Sequence, residues 1–216
     1  MDEVKTYRFQ VLKDMSQQRA MFDWWFAMEE RKGERAELRR HQHGGEAMRS
    51  LGVFRLMHKL PDLAVSERSI AAVAYLLSYL KVNPEILDKN GSQQGHLEKA
   101  DDYFKFLLTD QLNLASLLGA ESKAGTEKAL FSELRFQRLL QASADLDGDE
   151  FDKQMRRALQ QLQGKTESII NPIVLADHIL HRYRAVAKPE WYKGTRQFEY
   201  QFAKAYYQQV FTYAKD

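Results

Sequence analysis

At 216 residues, with 44% apolar and 29% charged side chains, the chain is long enough to bury a core and too apolar for disorder. With 32 Lys and Arg against 30 Asp and Glu the net charge is only +2, so any affinity for a polyanion must come from where charge lies. The absence of cysteine excludes disulfides and thiolate chemistry and suits a reducing cytoplasm, no signal-peptide core is visible, and the most apolar run, Ile70 to Leu77, is too short to cross a bilayer.

Four prolines, eleven glycines and long stretches of 3.6-residue periodicity predict an all-α bundle of about nine helices in two small lobes, 1–118 and 119–216. Residues 1–16 read as a short helix or an arm. Gln17 to Glu30 reads as a helix apolar almost all round, carrying Met21, Phe22, Trp24, Trp25, Phe26 and Met28, and so as a core element. Gly33 breaks the chain, and Ala36 to His41 restarts it beside Arg35, Arg39 and Arg40. Glu46 to Lys59 reads as one helix with Met48, Leu51, Phe54 and Met57 buried, stopped by Leu60-Pro61-Asp62. Ser66 caps a strongly apolar helix, Ile70 to Leu80. Residues 82–100, with Pro84, Asn90-Gly91 and Gly95, read as a long polar connection. Asp101 to Leu118 returns to helix, and Gly119 to Gly125 is taken as the boundary between lobes.

The second lobe holds the most informative stretch, Arg135 to Lys165, two helices joined by an acidic turn. Phe136, Leu139 and Leu140 point to a core in the first, and Phe151, Met155, Ala158, Leu159 and Leu162 form one face of the second. Asp147 reads as the N-cap, with Glu150 completing a capping box, and Gly164 as the C-terminal stop. Lys153, Arg156, Arg157 and Gln160 are then an outward stripe, and Arg135 and Arg138 lie a turn apart on the flank. Side chains three or four apart on a helix are roughly 5–6 Å from each other, a spacing comparable to neighbouring phosphates on one strand. Asn171-Pro172 caps a helix running to about Arg184, and Pro189 starts the last helix, with Phe198, Phe202, Ala205, Tyr206 and Val210 on its apolar face. Charge is uneven along the chain. Residues 31–68 hold nine cations against five acids (+4) and 126–216 fourteen against twelve (+2), whereas 1–30 and 69–125 each come to −2.

Catalytic and metal motifs are not met. His178 and His181 lie i, i+3 beside Asp177 and read as surface histidines, since neither the His-Glu-x-x-His nor the His-Asp pattern is present. His41 and His43 receive the same reading. In Asp145 to Glu150 the glycine stands at the fourth position where a calcium loop needs the sixth, so the acids are assigned to a helix N-terminus. The sequence calls for no cofactor and no catalytic residue.

Four pieces stand in order: Trp24-Trp25 with the run Gly33 to Arg40, the element Arg135-Phe136-x-Arg138-Leu139-Leu140, the run Met155 to Leu159 with its paired arginines, and the aromatic helix Phe198 to Tyr207. Together they resemble the CasB family, the small subunit of the type I-E CRISPR surveillance complex, Cascade, over roughly residues 17–210. Tyr183 stands where that pattern has tryptophan. The resemblance implies a non-catalytic, cytoplasmic, nucleic-acid-binding subunit without membrane contact, dimeric within the complex, with other Cascade subunits, guide RNA and single-stranded target or displaced DNA as partners. Carried over residue by residue, it assigns phosphate contacts to Arg39 and Arg40, Arg135 and Arg138, and Arg156 and Arg157. Lys165, Arg182, Arg184 and Lys188 are added because they belong to the same basic lobe. The alternatives are a helical protein–protein adaptor whose cations are incidental, and a metal-dependent hydrolase built on His178 and His181.

Overall fold

A computed structural model describes residues 7–82, 96–109, 113–143, 145–163 and 170–214. Its α-helices are α1 (Met15–Phe26), α2 (Lys32–Arg40), α3 (Gly44–Ala47), α4 (Leu51–Lys59), α5 (Glu67–Leu77), α6 (His96–Thr109), α7 (Leu114–Gly119), α8 (Glu133–Ala142), α9 (Asp149–Gln163), α10 (Pro172–Ala187) and α11 (Phe198–Val210). Single 3-10 turns, Ala27–Glu29 and Gly194–Arg196, complete the set, and the described residues form no strand beyond an isolated bridge between Glu121 and Ala129. The all-α expectation holds.

The architecture is centred on α5 and α10, because these are the two helices apolar on nearly every side. Residues Ser69 to Leu77 of α5 and Pro172 to Tyr183 of α10 are all buried. They pack on each other, with α1, α3, α4 and α9 around them and α11 lying along α7. Both starts are capped as the sequence predicts. Ser66 Oγ accepts from the amide of Ser69 at 3.2 Å, and Asn171 Oδ1 accepts from Ile173 at 2.9 Å and Val174 at 3.3 Å, with Pro172 at the first helical position.

Two aromatic clusters fill the flanks. Phe22 of α1 lies 5.3 Å from Phe26 and 5.2 Å from Phe104 of α6, and Phe136 of α8 stacks on Tyr206 of α11 at 3.8 Å. Each fully buried ring of this size contributes roughly 1.5–3 kcal/mol. Trp24 and Trp25 are core residues, and Trp24 Nε1 donates to Gly52 O at 2.9 Å. Residues 7–14 form an arm, held above all by one side chain in the middle of α10. Asp177 Oδ1 accepts from the amides of Val11 and Leu12 at 2.7 Å each, while Oδ2 accepts from the Gln10 amide at 2.8 Å and Tyr7 Oη at 2.7 Å.

Several expectations need correction. Helix α2 begins at Lys32 and runs through Gly33. The stretch 46–59 is two helices broken at Met48–Ser50, and α4 is rotated from the expected face: Gly52, Val53 and Leu56 are buried, whereas Leu51 and Phe54 are 51% and 53% exposed. The glycine decides this rotation, because its missing side chain lets Leu38 approach to where a Cβ would stand 3.1 Å from Leu38 Cδ1. The stretch 101–118 is divided between α6 and α7. Pro189 opens a turn, and the last helix starts only at Phe198. The linker expected at 82–100 and the stop at Gly164 lie for the most part outside the described residues.

Candidate nucleic-acid interface

The surface that carries the predicted cations is built outward from α9. Phe151, Met155, Ala158, Leu159 and Leu162 are all buried, as the periodicity requires, so the opposite side of the helix must face solvent. Arg157 and Gln160 are exposed there, and Lys153 and Arg156 are half-buried beside them. Helix α8 runs back antiparallel to α9, with Phe136 and Leu139 buried and Arg135 and Arg138 exposed.

Two bridges join these cations. On one side Arg135 Nη1 donates to Gln161 Oε1 at 2.5 Å, and Gln161 Nε2 donates to Leu130 O at 2.5 Å. Gln161 lies one turn from Arg157 on the same helix. On the other side stand Tyr75 and Tyr79 at the end of α5, their rings 5.4 Å apart. Arg156 Nη1 donates to Tyr75 Oη at 2.9 Å and to Gln42 O at 3.4 Å. From α2, Arg39 Nε donates to Ser78 O at 2.7 Å with its guanidinium 5.6 Å from the Tyr79 ring centroid, and Tyr79 Oη donates back to Arg39 O at 3.2 Å. Gln163 Nε2 closes the contact on Tyr79 O at 2.6 Å. The tyrosine pair thus brings Arg39 of α2 and Arg156 of α9 to one place, and Gln161 ties Arg135 of α8 to the far end of α9.

The electrostatics keep this surface cationic. Among the described residues none of these six arginines pairs with a carboxylate. Burial, and then the neighbouring Arg35, lower the Arg39 pKa from its ordinary value, but a guanidinium stays charged through any such shift. Burial and the hydrogen bond with Tyr79 raise the Tyr75 pKa, which keeps its hydroxyl neutral.

The remaining predicted cations are elsewhere. Arg182 is fully buried and belongs to the core: Nε donates to Ser143 O at 2.8 Å, Nη2 donates to Asp145 O, and the guanidinium lies 5.0 Å from the Phe151 ring and 4.6 Å from that of Tyr183. Its place on α10, the central helix, takes it out of reach of a ligand at the surface. Arg184 is half-buried, with Nη2 donating to Ala64 O at 3.1 Å. Lys188 is exposed over Trp191, and Lys165 lies outside the described residues.

The acidic turn is a joint. Arg68 Nη2, from α5, donates at 2.8 Å to both Asp149 Oδ1 and Asp152 Oδ2, the second of which also accepts from the Gly44 amide at 2.9 Å. Tyr183 Oη donates to Asp152 Oδ1 at 3.2 Å, and His43 Nδ1 stands 2.8 Å from Asp149 Oδ1. The acids do favour the N-terminus of α9, but the expected cap at Asp147 is displaced. Gly148, at φ +76°, occupies the cap position and its carbonyl accepts from the Asp152 amide at 3.0 Å. His178 and His181, expected at the surface, are buried against Phe198, with Phe202 beside the first and Tyr192 beside the second. Among the described residues no group of three His, Asp or Glu is arranged to hold a metal.

Tyr75, Tyr79 and Gln161 were not singled out by sequence. The signal for the tyrosines is two hydroxyls at i, i+4 on the flank of an otherwise apolar helix; Gln161 carries none.

Residues 34–207 match the family model described as CRISPR-associated protein Cse2. No match was found among curated proteins or among solved structures.

Proposed function

This chain belongs to the Cse2 family, the CasB-type small subunit of type I-E Cascade, and from that membership we propose that it is a non-catalytic, nucleic-acid-binding subunit that follows a phosphate backbone with Arg39, Arg40, Arg135, Arg138, Arg156 and Arg157. The observation that carries the reading is that Arg135 on Gln161, and Arg156 and Arg39 on the Tyr75–Tyr79 pair, are held without a carboxylate partner among the described residues. Phosphate contacts set position and affinity and carry no sequence information. That suits a complex in which guide RNA reads sequence by base pairing. In this reading the subunit works in the cytoplasm as a homodimer beside the other Cascade subunits and guide RNA, and holds the R-loop open by contacting single-stranded target or displaced DNA.

Arg138 and Arg157 make no hydrogen bond or ion pair among the described residues, so they probe phosphate binding without disturbing the fold. If about four phosphates on a single strand are neutralised, log K against log salt has a slope near −3, at roughly −0.7 per contact. Arg138→Ala with Arg157→Ala flattens it to about −1.4, at an unchanged melting temperature. A double variant with the parental slope removes both residues from the interface.

A second reading, a protein adaptor without nucleic-acid binding, is favoured by one observation. A shallow groove of about 330 Å³ along α11 is lined by Tyr200, Ala203, Lys204, Tyr207, Gln208 and Phe211. That reading predicts no salt-dependent binding of single-stranded DNA or RNA by the chain.

A further inference from the structure

The connection between α10 and α11, residues 188–197, is a short loop fixed at both ends. The Trp191 amide donates to Lys188 O at 3.0 Å and the Tyr192 amide to Pro189 O at 3.3 Å. Tyr192 packs its ring on buried His181 at 5.2 Å. Gly194, at φ +58°, turns the chain into the 3-10 turn, and Gln201 Nε2 holds Thr195 O at 3.3 Å. Between these anchors Trp191 stands outward, 63% exposed. The other two tryptophans are core residues, 0% and 2% exposed.

What surrounds the indole defines what it suits. Lys188 Nζ lies 4.6 Å from the ring centroid, and Lys188, Lys193 and Arg196 are all exposed with no ion pair among the described residues. Within 188–197 they face one acid, Glu190, so the loop carries three cations against one acid. A tryptophan that anchors a protein partner sits in an apolar patch ringed by contacts that exclude water. Here the ring has Lys188 beside it and stands on a loop that carries two further cations, which suits a ligand that is flat and apolar on one part and anionic on the next. An unpaired nucleotide has that form: its base stacks on an aromatic ring, and its phosphates meet lysine and arginine.

We propose that Trp191 is a stacking platform for an unpaired base of single-stranded nucleic acid, with Lys188, Lys193 and Arg196 holding the flanking phosphates. The site is separate from the arginine surface on α2, α8 and α9, and it rests on the nucleic-acid-binding reading above.

The test uses the full chain, whose fluorescence has one exposed indole above a constant background from Trp24 and Trp25. Oligothymidylate at low salt quenches Trp191, whereas an abasic oligomer of equal length and charge does not. Trp191→Ala weakens oligothymidylate binding about fivefold or more, Trp191→Tyr restores most of it, and both variants keep the parental melting temperature. Salt-dependent binding without quenching, and unchanged in Trp191→Ala, overturns the stacking site and leaves the arginine interface standing. Equal quenching by the abasic oligomer also overturns it, since charge alone then explains the signal. No binding of either oligomer by the chain overturns both readings. A Trp191→Ala chain that binds DNA normally but no longer co-purifies with its protein partners assigns the indole to a protein contact and overturns the proposal.

Discussion

His178 is enclosed by Tyr7, Phe198 and Phe202, and among the described residues neither its Nε2 nor that of His181 has a hydrogen-bond partner. Tyr7 Oη lies 3.5 Å from His178 Nδ1, and Asp177 is already engaged by the arm, so the described residues leave no acceptor for a second proton. Burial, and then the nearby His181, push the His178 pKa down to about 3, and burial lowers that of His181 although Asp177 and Glu199 oppose it. The unfolded chain therefore binds more protons than the folded one below the ordinary histidine pKa near 6.5. Stability is fully present above that value and is lost as pH falls from 6.5 toward 3. At pH 5 the His178 share of the loss is about 2 kcal/mol, or about 4–8 °C in melting temperature for a chain of this size. A melt repeated at pH 7 and pH 5 should show that drop, and His178→Leu should reduce it. Equal melting temperatures at the two pH values would refute the account. The same scale shows what sequence does not contain. Arg182 and Arg157 are both arginines within long helices, yet one is buried and the other exposed. The difference lies in what each helix packs against, which no local pattern encodes.

Among the elements, the α8–α9 hairpin was the most legible, because fifteen residues of α9 repeat one apolar face without interruption. Helix α4 was less so. Leu51, Phe54 and Met57 make as good an apolar stripe as Val53, Leu56 and Leu60, and the tertiary contacts of Gly52 with Leu38 and Trp24 accompany the choice between them. The turn of the hairpin was misread by one residue for a similar reason: Asp147 has the better capping side chain, but the tertiary structure needs a glycine there. A Cβ on Gly148 would lie 2.7 Å from Arg182 Nη1 and press on Tyr183 Oη, at a φ of +76° that L-residues avoid. Gly125 is the internal control, with φ +80° and nothing within 4 Å of a Cβ. Gly125→Ala should cost roughly 1–2 kcal/mol from the backbone alone. Gly148→Ala should cost that plus a further 1–3 kcal/mol of overpacking. Denaturant melts of the two variants measure the difference, and equal losses would mean that Tyr183 and Arg182 yield without cost.

At the scale of the whole molecule, the contacts run across the boundary expected near residue 118. Helix α10 packs on α1 and α5, α11 packs on α7, and Arg39 and Arg156 reach the same pair of tyrosines from opposite sides of it. One charged bond across that boundary is Arg68 on Asp149 and Asp152, in which the Asp152 side chain is fully buried and that of Arg68 is 20% exposed. Removing one partner of a buried ion pair typically costs about 3–5 kcal/mol, because the other charge is left without compensation. Arg68 is partly open to water, which can re-enter beside Asp152, so Arg68→Met belongs at the lower end, near 3 kcal/mol. That lowers the melting temperature by about 6–12 °C for a chain of this size. The form of the transition carries more information than its midpoint. If the segments before and after residue 118 share one core, Arg68→Met moves a single cooperative transition as a unit, and fluorescence from Trp24 and Trp25 follows the same curve as far-ultraviolet circular dichroism. If they are independent, two transitions separate, and the signal of buried Trp24 and Trp25, which reports α1, no longer follows the circular dichroism curve. The single transition is the expected result, and it bears on the proposed function, which draws its arginines from α2 before residue 118 and from α8 and α9 after it.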